Sequence, residues 1–136
     1  MANSNKIFKQ DLEKFSSRLE KAFFTVMREN SAELLSYLTS GLSKTGEVYG
    51  GKRTSSPPYS MPYKVSGNLL DSTEVEYEEH SSRAVIRAGT DTIRTPYARY
   101  LEYGTAFMLP RPYLLPAGIL FFNKICRNLK NLKGKL

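Results

Sequence analysis

The stretch most like a catalytic motif is GEVYGGKR, residues 46–53, which nearly matches the phosphate-binding loop of nucleotide-binding proteins. Such a loop ends in a lysine followed by a Ser or Thr that binds the metal ion. Gly46, Gly51 and Lys52 fit the required spacing. Arg53, however, stands where the hydroxyl group must be. The stretch also follows a predicted helix and runs into two prolines, whereas a phosphate-binding loop follows a strand and opens a helix. We therefore expect no nucleotide site here.

The remaining reactive side chains are few and scattered. His80 is the single histidine and stands beside Glu79 with no metal-ligand spacing around it. Cys126 is the single cysteine and lies in an apolar helical pattern, which is typical of a small packed residue. Three alternating glutamates could supply a pair of carboxylates for acid–base chemistry, but they line an open strand face and not a pocket. No nucleophile, base and orienting group come together, so we expect no enzyme activity, no metal and no cofactor.

Charge is distributed unevenly along this chain of 136 residues with a net charge of +7. Residues 65–82 hold five acids and no base, whereas residues 104–136 hold six bases and no acid. This separation is consistent with attraction to nucleic acid or to a membrane, with docking of one copy on the next, or with a solvated surface. The acids are Asp71, Glu74, Glu76, Glu78 and Glu79, and the bases are Arg111, Lys124, Arg127, Lys130, Lys133 and Lys135.

Targeting signals are not apparent. A lone cysteine cannot form an internal disulfide, which is typical of a reducing compartment. The N-terminal residues are charged from the start, unlike a signal peptide. The longest apolar run, residues 112–122, is shorter than the ~20 residues that a membrane helix needs. We expect a soluble protein that is made in the cytoplasm and has no membrane partner.

Two segments make up the first half of the chain. Residues 7–42 predict one long amphipathic helix, because apolar side chains recur at spacings of three and four from Phe8 to Leu38. Some 35 residues span about 50 Å, so the helix either breaks or projects and packs on another chain. Residues 43–64 are rich in Gly, Ser, Thr and Pro with interleaved tyrosines and bases, and show no period. They predict an extended loop that is either solvated or ordered by a partner.

The second half, residues 65–136, predicts a small antiparallel sheet and two helices. Ser66 can cap a short helix. The stretch TEVEYEEHSSRAVIRAGT predicts a β-hairpin, with Ala84 to Ala88 as the return strand, because acids alternate with apolar residues. Pro96 opens a short helix over residues 97–103. Gly104 ends that helix, and prolines bracket the start of the last one. The fold class is α+β in a single domain, residues 1–136.

A signature in the second half resembles one phage family. The family's pattern is Tyr-Ala, an acid and an aromatic followed by Gly-Thr, then Pro-aromatic-Leu and Pro-Ala. In the family a Gly/Pro-rich loop that runs into Thr-Gly precedes this pattern. Ser66 replaces the usual Thr, and the loop is less charged than in the family. The sequence resembles the neck or tail-completion proteins of tailed phages, which join head and tail, of the lambdoid gene-product-ten type. The signature residues, which we expect at an interface, are Tyr97, Ala98, Tyr100, Glu102, Tyr103, Gly104, Thr105, Pro112, Tyr113 and Pro116.

The resemblance implies a virion structural protein in place of an enzyme. It implies a homo-oligomeric ring with six-fold-related symmetry at the head–tail junction, between head-closure (stopper) or adaptor proteins and the tail, with the genomic DNA passing through unbound. The signature aromatics, with Phe107, would supply either contact area between subunits or core packing. The acids Glu74, Glu76 and Glu78 would face the lumen, where they repel DNA, or a subunit interface. The long loop would reach a neighbouring ring through Tyr49, Lys52, Arg53, Tyr59 and Tyr63.

Two alternatives remain open from the sequence. A tail terminator ring needs similar subunits, so the sequence does not separate it from a neck ring. A small basic protein that binds DNA without sequence preference would use the KRTSS segment and the basic last helix. The five clustered acids oppose that interpretation, since they repel DNA at short range.

Overall fold

The computed structural model describes residues 2–132 and residue 134, and it has the α+β architecture that the sequence predicts. Two separate antiparallel sheets of two strands each lie among four helices. The elements in chain order are α1 (Ala2–Leu42), β1 (Val48–Tyr49), β2 (Lys52–Arg53), α2 (Asn68–Ser72), β3 (Thr73–His80), β4 (Arg83–Thr90), α3 (Ala98–Tyr103) and α4 (Leu114–Leu132).

Helix α1 is a single unbroken helix of 41 residues that begins five residues earlier than predicted. No proline interrupts it, and at 1.5 Å per residue it spans about 60 Å. Every side chain from residue 3 to residue 21 is exposed, and we call this segment the arm. Of the two outcomes that the sequence left open, the structure therefore has the projecting helix and not the broken one.

The core lies between the second half of α1 and the first half of α4. Helix α1 contributes three buried side chains, and the residue before α4 together with α4 contributes three more; both sets have spacings of four residues, which places each set in one row. The small side chain of Ala117 lies between two aromatic neighbours in its row. The six buried residues are Leu34, Leu38 and Leu42 from α1 and Tyr113, Ala117 and Phe121 from the α4 region, and Met61, Leu69, Leu70, Val75, Ile86 and Leu114 pack around them.

The β3–β4 hairpin forms as predicted, with both strands eight residues long and a two-residue turn. The return strand runs from Arg83 to Thr90 and is thus longer than the predicted segment. Val75 and Ile86 pack against the core, while the alternating glutamates face solvent. An ion pair between Arg28 of α1 and Glu79 fixes the tip of the hairpin to the helix.

The 43–64 segment is more regular than the sequence predicted. Strands β1 and β2 form a short hairpin whose turn residues, Gly50 and Gly51, have φ angles of 58° and 79°. Two successive positive φ angles define the turn that matches the twist of a hairpin, and glycine adopts them without strain. The prediction of a loop without regular structure is wrong for these residues. The segment GEVYGGKR is therefore a hairpin and has no strand–loop–helix geometry for binding phosphate.

The rest of this loop is fixed to the body of the protein. The backbone N–H of Lys64 donates to the carbonyl of Lys44 (2.7 Å) and closes the base of the loop. Further along, the Arg111 guanidinium donates to the Ser56 carbonyl (2.9 Å), and the Tyr59 N–H donates to a proline carbonyl in the 105–113 segment (2.8 Å). The middle of the loop is thus hydrogen-bonded to its own chain.

The cap of α2 also differs from the prediction. The residue at the N-cap is Gly67, with a φ of 88°, and no side chain caps the helix there. Ser66 lies one residue further out, and its hydroxyl accepts a hydrogen bond from the Asn68 N–H at 3.4 Å. A glycine is favoured at this left-handed position because a Cβ would strain the backbone. The serine therefore supports the turn from outside the helix.

Substitution of Leu38 tests the location of the core. Leu38 is 1% exposed, so Leu38→Ala leaves a cavity and should lower the free energy of unfolding by about 2–5 kcal/mol. Leu35→Ala is the matched control, because Leu35 lies on the same helix and is 42% exposed; its cost should stay below about 1 kcal/mol. Urea denaturation followed by circular dichroism measures both. Equal losses for the two variants would contradict this core.

Candidate functional site

The signature residues form one continuous structural unit: helix α3, a tight turn and the start of α4. Helix α3 ends at Gly104, which has a φ of 77°. A Cβ at this position would lie 2.9 Å from the Met108 carbonyl oxygen, so only glycine fits. Thr105 and Met108 then pair through their backbones, and the Arg111 N–H donates to the Leu101 carbonyl at 2.6 Å. The chain thereby reverses direction and presents its next residues to the end of α3.

The carboxylate of Glu102 caps the start of α4. It accepts three backbone hydrogen bonds, from the N–H groups of Tyr113 (2.8 Å), Leu114 (3.1 Å) and Leu115 (2.7 Å). The first N–H groups of a helix have no partner within the helix and carry partial positive charge, so a carboxylate satisfies and stabilises them. The side chain at the N-cap position, a tyrosine, does not make these bonds. Glu102 thus supplies from α3 a cap that the local sequence lacks.

Tyr113 connects the same junction to the hairpin. Its hydroxyl lies 2.6 Å from that of Thr90, which lies 2.9 Å from that of Thr73. Thr73 donates to the Leu69 carbonyl at 2.7 Å. Because a carbonyl only accepts, the consistent direction along this chain has Tyr113 donating to Thr90. Burial raises the pKa of Tyr113, since the phenolate would lose its hydration.

Burial separates the signature residues into two groups. Ala98, Glu102 and Tyr113 are buried within the chain and hold the junction together, so they offer no surface to a neighbour. The expectation of an interface is therefore wrong for these three. Exposed residues are Tyr97, Tyr100, Tyr103, Thr105 and Pro116, while Gly104 and Pro112 are half-buried. Pro116 lies in the first turn of α4, where proline costs no helical hydrogen bond.

An exposed apolar surface lies directly beside the junction. Leu115, Ile119 and Phe122 recur along α4 at spacings of four and three and are all exposed. Together with Tyr103 they line a shallow cleft of about 430 Å³. We call these four residues the α3–α4 surface. Phe107, at the turn between the helices, is 100% exposed. This stripe was not predicted from the sequence, although the spacing of residues 115, 119 and 122 was a signal for it.

The acidic strand face is less negative than its sequence implied. Glu74, Glu76 and Glu78 are all exposed, as their alternation predicted. In the hairpin, however, Arg87 stands directly opposite Glu76 and forms an ion pair with Glu78 at 3.0 Å. This pairing lowers the pKa of Glu78. The absence of nearby bases, on which the lumen interpretation depended, does not hold in three dimensions, because an arginine from the next strand lies on the same face.

The five residues of the 43–64 segment that we expected to reach a neighbouring ring lie in three different places. Tyr49, Lys52 and Arg53 lie on the β1–β2 hairpin and are exposed. Tyr59 is exposed at a turn with a φ of 63°. Tyr63 is half-buried and lines a cleft of about 440 Å³ between the loop and α3. Only the first four are thus available to a partner.

The remaining sequence candidates do not assemble into a site. In the part of the chain that the structure describes, no group of His, Cys, Asp and Glu could hold a metal ion. His80 lies 3.5 Å from Glu78 at the hairpin tip, and Cys126 is half-buried. Of the C-terminal bases, Lys124 pairs with Glu33, and Arg127 and Lys130 are exposed. Lys133 and Lys135 lie outside the described residues. No described helix is long and apolar enough to cross a membrane.

The junction combines a hydrogen-bonded carboxylate with exposed apolar side chains. The carboxylate of Glu102 already accepts three hydrogen bonds, so it has little capacity left for acid–base chemistry. What it holds in place is an exposed set of aromatic and aliphatic side chains, which is the composition of a protein interface. Comparisons of the chain with family models, with curated proteins and with solved structures find no match.

Glu102→Gln tests the cap. The amide retains one acceptor oxygen and turns an N–H donor toward backbone N–H groups, so we expect a loss of about 2–3 kcal/mol in the free energy of unfolding. Glu13→Gln is the control, because Glu13 lies on the exposed arm; its effect should stay within about 0.5 kcal/mol. Urea denaturation measures both, and a loss at Glu102 no larger than the control would exclude a stabilising cap.

Tyr113 predicts an alkaline loss of stability. Its pKa is higher in the folded chain than in the unfolded one, so its contribution is complete below about pH 10 and declines as pH rises further. Tyr113→Phe should be less stable at neutral pH, since Thr90 loses its donor, but should lose less stability between about pH 9 and 11 than the unmodified protein. Tyr103→Phe, at an exposed position, should follow the unmodified pH profile. Parallel profiles for all three proteins would contradict the shifted pKa.

Proposed function

We propose that the chain is a structural subunit of a homo-oligomeric ring at the head–tail junction of a tailed phage, made in the host cytoplasm and incorporated into the virion. The ring has six-fold-related symmetry and lies between the head-closure or adaptor proteins and the tail proteins. Genomic DNA passes through its lumen without specific binding. The chain acts as neither an enzyme nor a cofactor carrier.

The α3–α4 surface is the observation that carries the proposal. Four exposed apolar side chains lie on the segment whose signature resembles the neck proteins, and Phe107 is exposed in the turn of the same segment. Contiguous exposed apolar side chains of this kind mark interaction sites. The buried part of the signature, Glu102 with Tyr113, fixes the angle between α3 and α4 and hence the shape of that surface. The signature therefore acts as the frame of an interface.

A ring also requires that one patch on each copy meets a different patch on the next. Two charged patches are available for this contact. One is the face of the β3–β4 hairpin that carries Glu74, Glu76 and Glu78, with one arginine on the opposite strand, and the other consists of the exposed bases Arg127 and Lys130. Their signs are opposite, so they would orient neighbours without supplying much affinity. In this arrangement the apolar surface supplies the binding energy and the charges supply the direction.

A tail terminator ring remains the alternative within the same class, because it needs the same surfaces. Sequence-independent DNA binding is favoured by one observation, the exposed bases Lys52 and Arg53 on the projecting β1–β2 hairpin. Retention on DNA at physiological salt, with a steep salt dependence, would identify such a protein. The ring subunit should show no such retention.

Ile119→Asp tests the α3–α4 surface. Ile119 is 55% exposed, so the charge should leave folding intact but abolish association through this surface. Ile93→Asp is the control, because Ile93 is 93% exposed in the loop between β4 and α3. Native mass spectrometry across a concentration series should show a closed ring for the unmodified protein and the control, and no ring for Ile119→Asp.

Two results would contradict the proposal. A ring that forms equally well with Ile119→Asp would show that this surface does not join the copies. In phage particles that contain the protein, antibody label is expected at the head–tail junction, and label confined to another part of the particle would exclude the neck.

A further inference from the structure

The arm carries an apolar stripe that its own chain leaves uncovered. Phe8, Leu12, Phe15 and Leu19 recur at alternating spacings of four and three, which is the heptad pattern of helices that pair along their length. All four are exposed, Phe8 by 70%. The same spacing continues through Ala22 and Val26, which are half-buried near the hairpin. The stripe thus extends beyond the part of α1 that the rest of the chain packs against.

The charges beside the stripe distinguish between possible partners. Asp11 immediately precedes Leu12 and Arg18 immediately precedes Leu19, so both occupy the same flank of the heptad. In an antiparallel pair of identical helices these flanking positions face each other, and in a parallel pair they do not. A parallel pair would set Asp11 near Ser16 and Arg18 near Phe23, without an opposite charge. Only the antiparallel arrangement matches charge with charge.

We propose that the arms of two copies pair as an antiparallel coiled coil. Leu12 of each copy packs on Phe15 of the other, Phe8 packs on Leu19, and Asp11 pairs with Arg18. The two-fold symmetry repeats each contact, so the pair has four apolar layers and two ion pairs.

The charges also select one register. A shift of one heptad in one direction sets Arg18 against Arg18 of the second copy, and a shift in the other direction sets Asp11 against Asp11. Both place like charges together, which is unfavourable. The register with Leu12 opposite Phe15 is therefore the one among the three that the flanking charges support.

The structure contains a place for the end of the second arm. A cleft of about 590 Å³ lies where the arm meets the hairpin tip and the end of α4, lined by Phe15, Leu19, Phe23, Leu129 and Leu132 among others. In the proposed register Phe8 of the second copy lies opposite Leu19, at the mouth of this cleft. The arm of one copy would thus cover apolar side chains that belong to the body of the other.

The size of the contact suits a weak dimer. The four apolar side chains of each stripe are between 41% and 70% exposed. Burying them would remove on the order of 800 Å² from water over both copies, which is below the standard size of specific interfaces. We therefore expect a dimer that dissociates on dilution. The arm lies apart from the α3–α4 surface, so this pairing goes beyond the proposed ring and is tested separately from it.

Cysteine cross-linking tests the orientation. In a Cys126→Ala background, D11C and R18C are made as separate proteins, oxidised alone and then as an equal mixture. Antiparallel pairing places the two new thiols together only in the mixture, so we expect a disulfide-linked dimer in the mixture and none in either protein alone. A mixture of R18C with Q10C, whose new thiol lies on the side of the helix opposite the apolar stripe, is the control. Cross-linking of either protein alone, or no cross-linking in the mixture, overturns the proposal.

Charge reversal tests the register without new thiols. D11R alone or R18D alone should raise the dimer dissociation constant roughly tenfold, because two attractions become two repulsions. The double variant D11R/R18D should return to within about twofold of the unmodified protein. Sedimentation equilibrium measures all four proteins, and failure of the double variant to recover overturns the ion pair. A ring that persists in D11R but is lost in Ile119→Asp would separate the two proposals.

Discussion

The arrangement of this protein depends on one buried carboxylate. Glu102 binds three N–H groups at the start of α4 and so fixes where the last helix begins and in which direction it runs. That direction brings Tyr113, Ala117 and Phe121 against α1 and completes the core. It also decides which side of α4 remains outside. The exposed α3–α4 surface is thus a consequence of how the helix is capped.

Much of the fold follows from local sequence patterns. The alternation of acidic and apolar residues over Glu74–Glu78 predicted the β3–β4 hairpin, and the spacing of apolar residues predicted the long helices α1 and α4. Both kinds of pattern are visible in the sequence because they reflect burial on one face. Helix α3 ends at Gly104, as the sequence predicted. The β1–β2 hairpin was missed since two-residue strands are too short to show a period. Its Gly-Gly turn, flanked by Tyr49 and Lys52, was the signal that the sequence contained.

The candidate site was harder to predict than the fold. Glu102 was identified by its place in the signature, but its role as a cap depends on a chain reversal that brings residue 102 to residue 113. Similarly, Arg87 changes the charge of the acidic face only because the hairpin register sets it opposite Glu76. These effects arise between residues distant in sequence, and no local pattern contains them. The division of the signature into buried frame and exposed surface is likewise a property of the packed chain.

The two rows of the core are far apart in the order of synthesis. Helix α1 leaves the ribosome first, and α4 follows roughly seventy residues later, which at common elongation rates takes about 4–14 s. During this interval the row of Leu34, Leu38 and Leu42 lacks the three buried side chains from the α4 region that complete the core. The contacts that close the core have a large sequence separation, and such contacts make folding slow. A newly made chain therefore exposes the apolar row of α1 before the core can close, which leaves that row open to contact with other chains.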